Sequence, residues 1–355
     1  MENYPQLKKE HLKLENDNFR YYCNWANKIV ENIQFNSNEK TEVPLTFYPI
    51  AKNIRLPSSH MVHNILQNKA SFIGNNPRNG DSSHWHNVLK RGSWYPWLWA
   101  RGRIEGYCKN IDGWKFYFDS FTEKHHKIYN NEELKEPPHH LKIFFVYLAC
   151  INYTFQLNKS YLSIMDGCKK KMNWPSSEKK ILAVQIRRGE TCSKSCSKAD
   201  REVLSLNEYI EKMEVLLKSN DYEYIYISTD SDEEIGRIKE AKPEWNILSL
   251  PIDRSQFFRM NEDAPPTKNG FSGLAIDLED SCRLYPGKIP FVVDSGLADL
   301  YFVSQCQGYI STLSEGEFSK CGWYLQLCTQ KNLTPYINVN TKEINMKNQD
   351  QLLML

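Results

Sequence analysis

The sequence predicts an α/β protein whose C-terminal half is built on a parallel sheet. Beyond about residue 175, short apolar runs alternate with longer amphipathic stretches, the order expected of strands joined by crossover helices. The runs "ILAVQI" and "YIYIST" are apolar at nearly every position, as strands covered on both faces require. At 355 residues the chain is long for one core and sufficient for two domains. The boundaries expected are 1–175 for a first domain, 176–330 for the parallel-sheet domain, and 331–355 for a last strand and tail.

The N-terminal stretch "MENYPQLKKEHLKLENDNF" is polar and charged. It lacks the apolar segment of a secretory signal, and no run approaches the length of a membrane span. The first half reads as helices and irregular segments, and all nine histidines lie at or before residue 140. His60 and His63 share the spacing "HMVH", and His84 and His86 the spacing "HWH". Neither pair has a third metal ligand in view, so a surface role is the plainer reading. The segment "KRGSWYPWLWARGR", residues 90–103, sets three tryptophans and a tyrosine among basic residues. It suits a core corner, a sugar-stacking platform, or stacked bases.

The second half is more regular. "KKILAVQIR" is a strand. "SLNEYIEKMEVLLKS" is an amphipathic helix, with Leu206, Ile210, Met213, Leu216 and Leu217 at helical spacing and Ser205 as N-cap. "YEYIYIST" is a second strand, and "SDEEIGRIKEA" a helix opening with acids that complement its dipole. "WNILSL" is a third, short strand. A less regular stretch runs from Pro251 to about Pro290. "SGLADLYFVSQC" then reads as a helix, "GYIST" as a strand, "GEFSKCGWYLQLC" as a helix and "TPYINV" as a last strand. Together these describe a Rossmann-like domain.

In such sheets ligands bind beyond the carboxyl ends of the strands. Arg187 and Arg188 close the first strand, Ser228, Thr229 and Asp230 the second, and Ser311 and Thr312 the fourth. Two adjacent guanidinium groups present donor forks that suit phosphate oxygens. A structural ion pair with Asp230 or Asp299 is the competing reading. "STLSEGEFS" leads from a strand into a helix, whose N-terminal N–H groups favour anions; Ser314 and Glu317 also fit a capping box. No G-x-G-x-x-G follows a strand, and no P-loop motif occurs. "STDSDEE" contains Asp230-Ser231-Asp232, which fits an acidic helix start as well as a metal site.

The segment "VQIRRGE" resembles the H-x-R-R-x-D segment of the α1,6-fucosyltransferase superfamily, which includes the nodulation-factor fucosyltransferases. The similarity continues in order through "SLNEYIEKM", "YIYISTDSDEEI" and "DLYFVSQCQGYISTLSEGEFSKCGWYL", covering about residues 180–328. It implies a GT-B arrangement of two facing α/β domains. It also implies an inverting glycosyltransferase that takes fucose from GDP-fucose with neither metal nor cofactor. By resemblance Arg187 grips the β-phosphate, Arg188 is its neighbour needed for activity, Asp299 reads the guanine edge, and Ser314 and Ser319 lie near the phosphates. Asp200 falls at the offset of the family's proposed general base, with Glu202 in reserve. The donor-binding set is completed by Gln185, Asp230 and Thr312. The family histidine is Gln185 here, the acid after the arginines is Glu190, and the family's glycine-rich stretch has no clear counterpart.

Two arginines and a helix N-terminus would neutralise a departing diphosphate without a metal, and a carboxylate would take the acceptor's proton. The expected partners are a nucleotide sugar and a glycan or glycoprotein acceptor. A catalytically silent glycan- or nucleotide-binding protein of the same fold, or a transferase using another nucleotide sugar, are the alternatives. Nucleic acid is not expected: the net charge is +2, with no basic tail. The ten cysteines are scattered, including Cys192 and Cys196 in "CSKSC". They read as mostly reduced, consistent with an expected cytoplasmic location.

Overall fold

The computed structural model describes residues 18–43, 50–73, 117–120, 133–187, 205–255, 289–311 and 317–339. The α/β class expected from the sequence is the one observed, with a parallel sheet in each half of the chain.

The first half opens with helix α1 (Phe19–Asn36), strand β1 (Lys40–Val43), helix α2 (Ile50–Leu66) and strand β2 (Ala70–Ile73). β1 and β2 pair in parallel, Lys40 opposite Ala70, with α2 as the crossover. This βαβ unit corrects the reading of the first half as helix and irregular chain. Two four-residue strands, one beginning "KTE", carry too little apolar pattern to be seen. Helices α3 (His139–Thr154) and α4 (Lys159–Met172) follow. The side chain of Asn158 accepts from the Tyr161 N–H and caps α4.

The second half holds β3 (Ile181–Ile186), α5 (Leu206–Ser219), β4 (Tyr224–Thr229), α6 (Asp232–Ala241), β5 (Ile247–Ser249), α7 (Ile289–Gln305), β6 (Gly308–Ser311), α8 (Glu317–Gln330) and β7 (Tyr336–Asn338). Ser205 caps α5 in a capping box: its Oγ accepts from the Glu208 N–H, and the Glu208 carboxylate accepts from the Ser205 N–H. α7 begins at Ile289, earlier than the expected Ser295. Pro290 sits in its first turn, where a missing N–H is harmless.

All five strands are parallel, in the order β5-β4-β3-β6-β7. β7 belongs to this sheet although it lies past residue 330. Alternate residues divide the sheet into two faces. Leu182, Val184, Ile186, Ile225, Ile227, Ile310 and Ile337 pack with Leu206, Met213 and Leu216 of α5 and Ile235 and Ile238 of α6. Ile181, Ala183, Tyr226, Tyr309 and Tyr336 face the other way, into a core with α7 and α8 that continues into α1, α2 and α3. α8 packs directly on α3 and α2. Burial on both faces explains why β3 and β4 read as near-continuous apolar runs.

Among the described residues no helix is long and apolar enough to cross a membrane. Six cysteines, Cys23, Cys150, Cys168, Cys306, Cys321 and Cys328, are free thiols.

Candidate functional site

The strand order creates one topological switch point. From β3 the chain moves outward to β4 and β5, then returns to place β6 against the opposite edge of β3. The helices that follow β3 and β4 cover one face, and the helices that flank β6 cover the other. At such a reversal of strand order, open α/β sheets take their ligands in the crevice outside the carboxyl ends of the strands. Arg187 follows β3 directly and is exposed at its end. α8 begins shortly after β6, with its N-terminal end toward the same side.

Polar side chains interrupt the apolar face near this end of the sheet. Gln185 is the next-to-last residue of β3 and shares the parity of Ile181 and Ala183. Its Oε1 accepts from the Tyr309 hydroxyl of β6 at 2.9 Å and from Ser319 Oγ of α8 at 2.6 Å. Both hydroxyl-bearing residues are buried. Burial pushes the Tyr309 phenol up, so it remains a donor at any ordinary pH. At the end of β6, Ser311 Oγ bonds the Tyr336 hydroxyl of β7 at 3.0 Å.

A second polar group lies on the β4 side. The Tyr226 hydroxyl donates to Asp299 Oδ1 of α7, and Ser228 bonds the same carboxylate. Burial dominates and pushes the Asp299 carboxyl up to about 6. The Tyr226 bond, the Arg254 charge and the Ser228 bond oppose that rise, while nearby Asp230 adds to it. Asp299 thus stands among β4 side chains and near the C-terminal edge, as an acid whose ionised form is costly.

Arg254, which belongs to no recognisable motif, braces this edge. It is buried at 2% exposure. Nε donates to the Thr229 carbonyl at 2.8 Å, Nη2 to the Leu250 carbonyl at 3.0 Å, and Nη1 to Asp232 Oδ1 at 2.9 Å. It ties the ends of β4 and β5 to the first turn of α6. Asp232, considered above with Asp230 as a metal pair, is therefore an ion-pair partner in the helix start. Ser231 between them is the N-cap of α6.

Of the candidate residues, the fold gathers Arg187, Gln185, Ser319, Asp230 and Asp299 at or beneath the carboxyl end of one sheet. Ser319 bonds Gln185. Arg188, Asp200, Thr312 and Ser314 lie outside the described residues, as do Glu190, Glu202, His84, His86, Cys192, Cys196 and residues 90–103. His60 and His63 fall on one side of α2, both exposed, and His63 bonds Gln67. Among the described residues no three His, Cys, Asp or Glu side chains gather as a metal site. Tyr226, Tyr309 and Arg254 were missed. Their partners lie 73, 124 and 22 residues away in the chain, so no local spacing reveals them.

No protein-family model and no curated protein matches the chain. Among solved structures, it is similar to NodZ α-1,6-fucosyltransferase soaked with GDP-fucose, at 11% identity over 85% of this chain and 95% of that one, with a TM-score of 0.41. NodZ from Bradyrhizobium is similar at 12% identity over 86% and 96%, with the same TM-score. NodZ α-1,6-fucosyltransferase co-crystallized with GDP is similar at 12% identity over 85% and 95%, again with a TM-score of 0.41.

Proposed function

We propose that the chain is a glycosyltransferase of GT-B type that binds a nucleoside diphosphate sugar in the switch-point crevice, with GDP-fucose as the donor. One observation carries the reading: an arginine directly follows the central strand β3, at the reversal of strand order among the described strands. A guanidinium there meets a diphosphate at the position where the fold opens. The N-terminal end of α8 adds partial positive charge on the same side.

In this reading Arg187, with Arg188 beside it, neutralises the charge that grows on the leaving diphosphate. A metal is not required for that task. Asp200 takes the proton of the attacking acceptor hydroxyl, and attack from the face opposite the diphosphate inverts the sugar carbon. Asp299 and Asp230 border the nucleotide. The first half of the chain, with its tryptophan-rich segment at residues 90–103, supplies the acceptor side.

A thermal-shift series with GDP, UDP, CDP and their sugars tests this. GDP and GDP-fucose should raise the unfolding temperature, unchanged by chelator, and Arg187→Ala should abolish the rise. Asp200→Asn should keep the rise and lose turnover. Stabilisation by UDP only with manganese would overturn the reading.

A second reading rests on Gln185. An uncharged, non-titrating amide stands where the resembling family has histidine, already engaged by Tyr309 and Ser319. This favours a nucleotide-binding protein without transfer activity. GDP binding that needs Arg187, with no sugar released from any GDP-sugar, would select it.

A further inference from the structure

α8 is buried at every position from Cys321 to Cys328. A helix covered on all sides is an interior element, not a surface crossover. One side meets its own sheet and α7. Gln326 Nε2 donates to the Val303 carbonyl at 3.2 Å and to the Gly308 carbonyl at 3.0 Å. Gly322 lies so close to Tyr309 that an added Cβ would stand 3.1 Å from its hydroxyl. The other side of α8 meets the first half of the chain. Tyr324 packs edge-on against Tyr147 of α3 at 5.5 Å, and Cys328 Sγ donates to the Leu148 carbonyl at 3.2 Å. Just past the helix, Lys331 Nζ donates to Asn24 Oδ1 of α1 at 2.6 Å. A further tie joins α4 to α7, where the Tyr161 hydroxyl donates to the Asp294 carbonyl at 2.9 Å.

Thiols mark this junction. Cys23 of α1, Cys150 of α3 and Cys321 lie around the Cys328 thiol, and all four are buried. Burial pushes the Cys23 thiol up to about 12 against the Lys331 charge, so it is a poor nucleophile while the fold is closed. Cys306 is buried in the second half, near Tyr222 and Tyr226. Domains of one chain move against each other unless their interface is large and apolar. Here one apolar core runs from β3, β4 and β6 through α7 and α8 into α1, α2 and α3. We infer that α1–α3 and the five-stranded sheet form one cooperative body, with α8 as the element common to both, and that no hinge opens between them. On the proposed nucleotide site, a ligand held at the carboxyl ends of β3 and β6 then protects α1 and α3 as strongly as the sheet that binds it.

Thiol labelling of the folded full chain, with each cysteine assigned by peptide mass mapping, reads the opening at both places. When labelling is slow against reclosing, its rate follows the population of the open form. Cys23, Cys150, Cys328 and Cys306 should label at one rate, within about twofold after correction for intrinsic reactivity, and with one urea dependence. Lys331→Met should speed all four together by about tenfold, the scale of one charge-assisted hydrogen bond. GDP at about 100 times its Kd should slow all four by about 100-fold. Faster labelling of Cys23, Cys150 and Cys328 than of Cys306, with a shallower urea dependence, would reveal a hinge and overturn the inference. So would a Lys331→Met effect confined to Cys23, or GDP protection confined to Cys306. Equal rates that GDP leaves unchanged would uphold the single body and refute the nucleotide site instead.

Discussion

Replacing Asp299 with asparagine isolates the cost of one half-buried charge. The carboxyl is held at about 6 against an ordinary 3.8, chiefly by burial. Because the folded chain binds this proton more tightly than the unfolded chain, stability falls as pH rises between about 4 and about 6 and stays at the lower level above. At about 1.4 kcal/mol per pH unit, the difference amounts to roughly 3 kcal/mol. Solvent reaching the half-buried side chain reduces this to about 2 kcal/mol. The amide is isosteric: its oxygen can accept from Tyr226, and its nitrogen can donate to Ser228. Urea unfolding at pH 4 and at pH 8 makes the comparison. Asp299→Asn should match the wild type at pH 4 and exceed it by about 2 kcal/mol at pH 8. An equal effect at both pH values, or destabilisation at pH 8 alone, would refute the reasoning.

Three other substitutions test the frame that presents the site. Arg254→Met should cost about 3 kcal/mol or more in chemical denaturation, because the carbonyls of Thr229 and Leu250 lose their donors. Ser205→Ala removes the capping box of α5 and should lower stability by about 1 kcal/mol without altering nucleotide binding. Gly308→Ala would set a Cβ 2.2 Å from the Tyr222 hydroxyl, a clash in a buried strand. A loss on the order of 1–3 kcal/mol in urea unfolding is expected.

What could be read in the sequence followed from local chemistry. β3 and β4 announced themselves because helices cover both of their faces, so "ILAVQI" and "YIYIST" lack polar alternation. The start of α5 was visible because Ser205 and Glu208 are three residues apart. Arg187 drew notice because charge directly follows a buried strand. Interactions across the chain left no such mark. Gln185 meets Ser319 across 134 residues, and the irregular stretch around Arg254 gave no sign that its guanidinium would brace two strand ends. The pair β1 and β2 was hidden for another reason. Four-residue strands carrying Lys40, Thr41 and Glu42 hold too few apolar positions to establish a period.

The central claim is that the carboxyl ends of β3 and β6 receive a nucleoside diphosphate beside Arg187. A crystal structure of the full chain grown with GDP tests it most directly. The account predicts diphosphate oxygens within hydrogen-bond reach of the Arg187 guanidinium, in the crevice between those two strands. GDP bound elsewhere, with Arg187 engaged only by protein carboxylates, would contradict it.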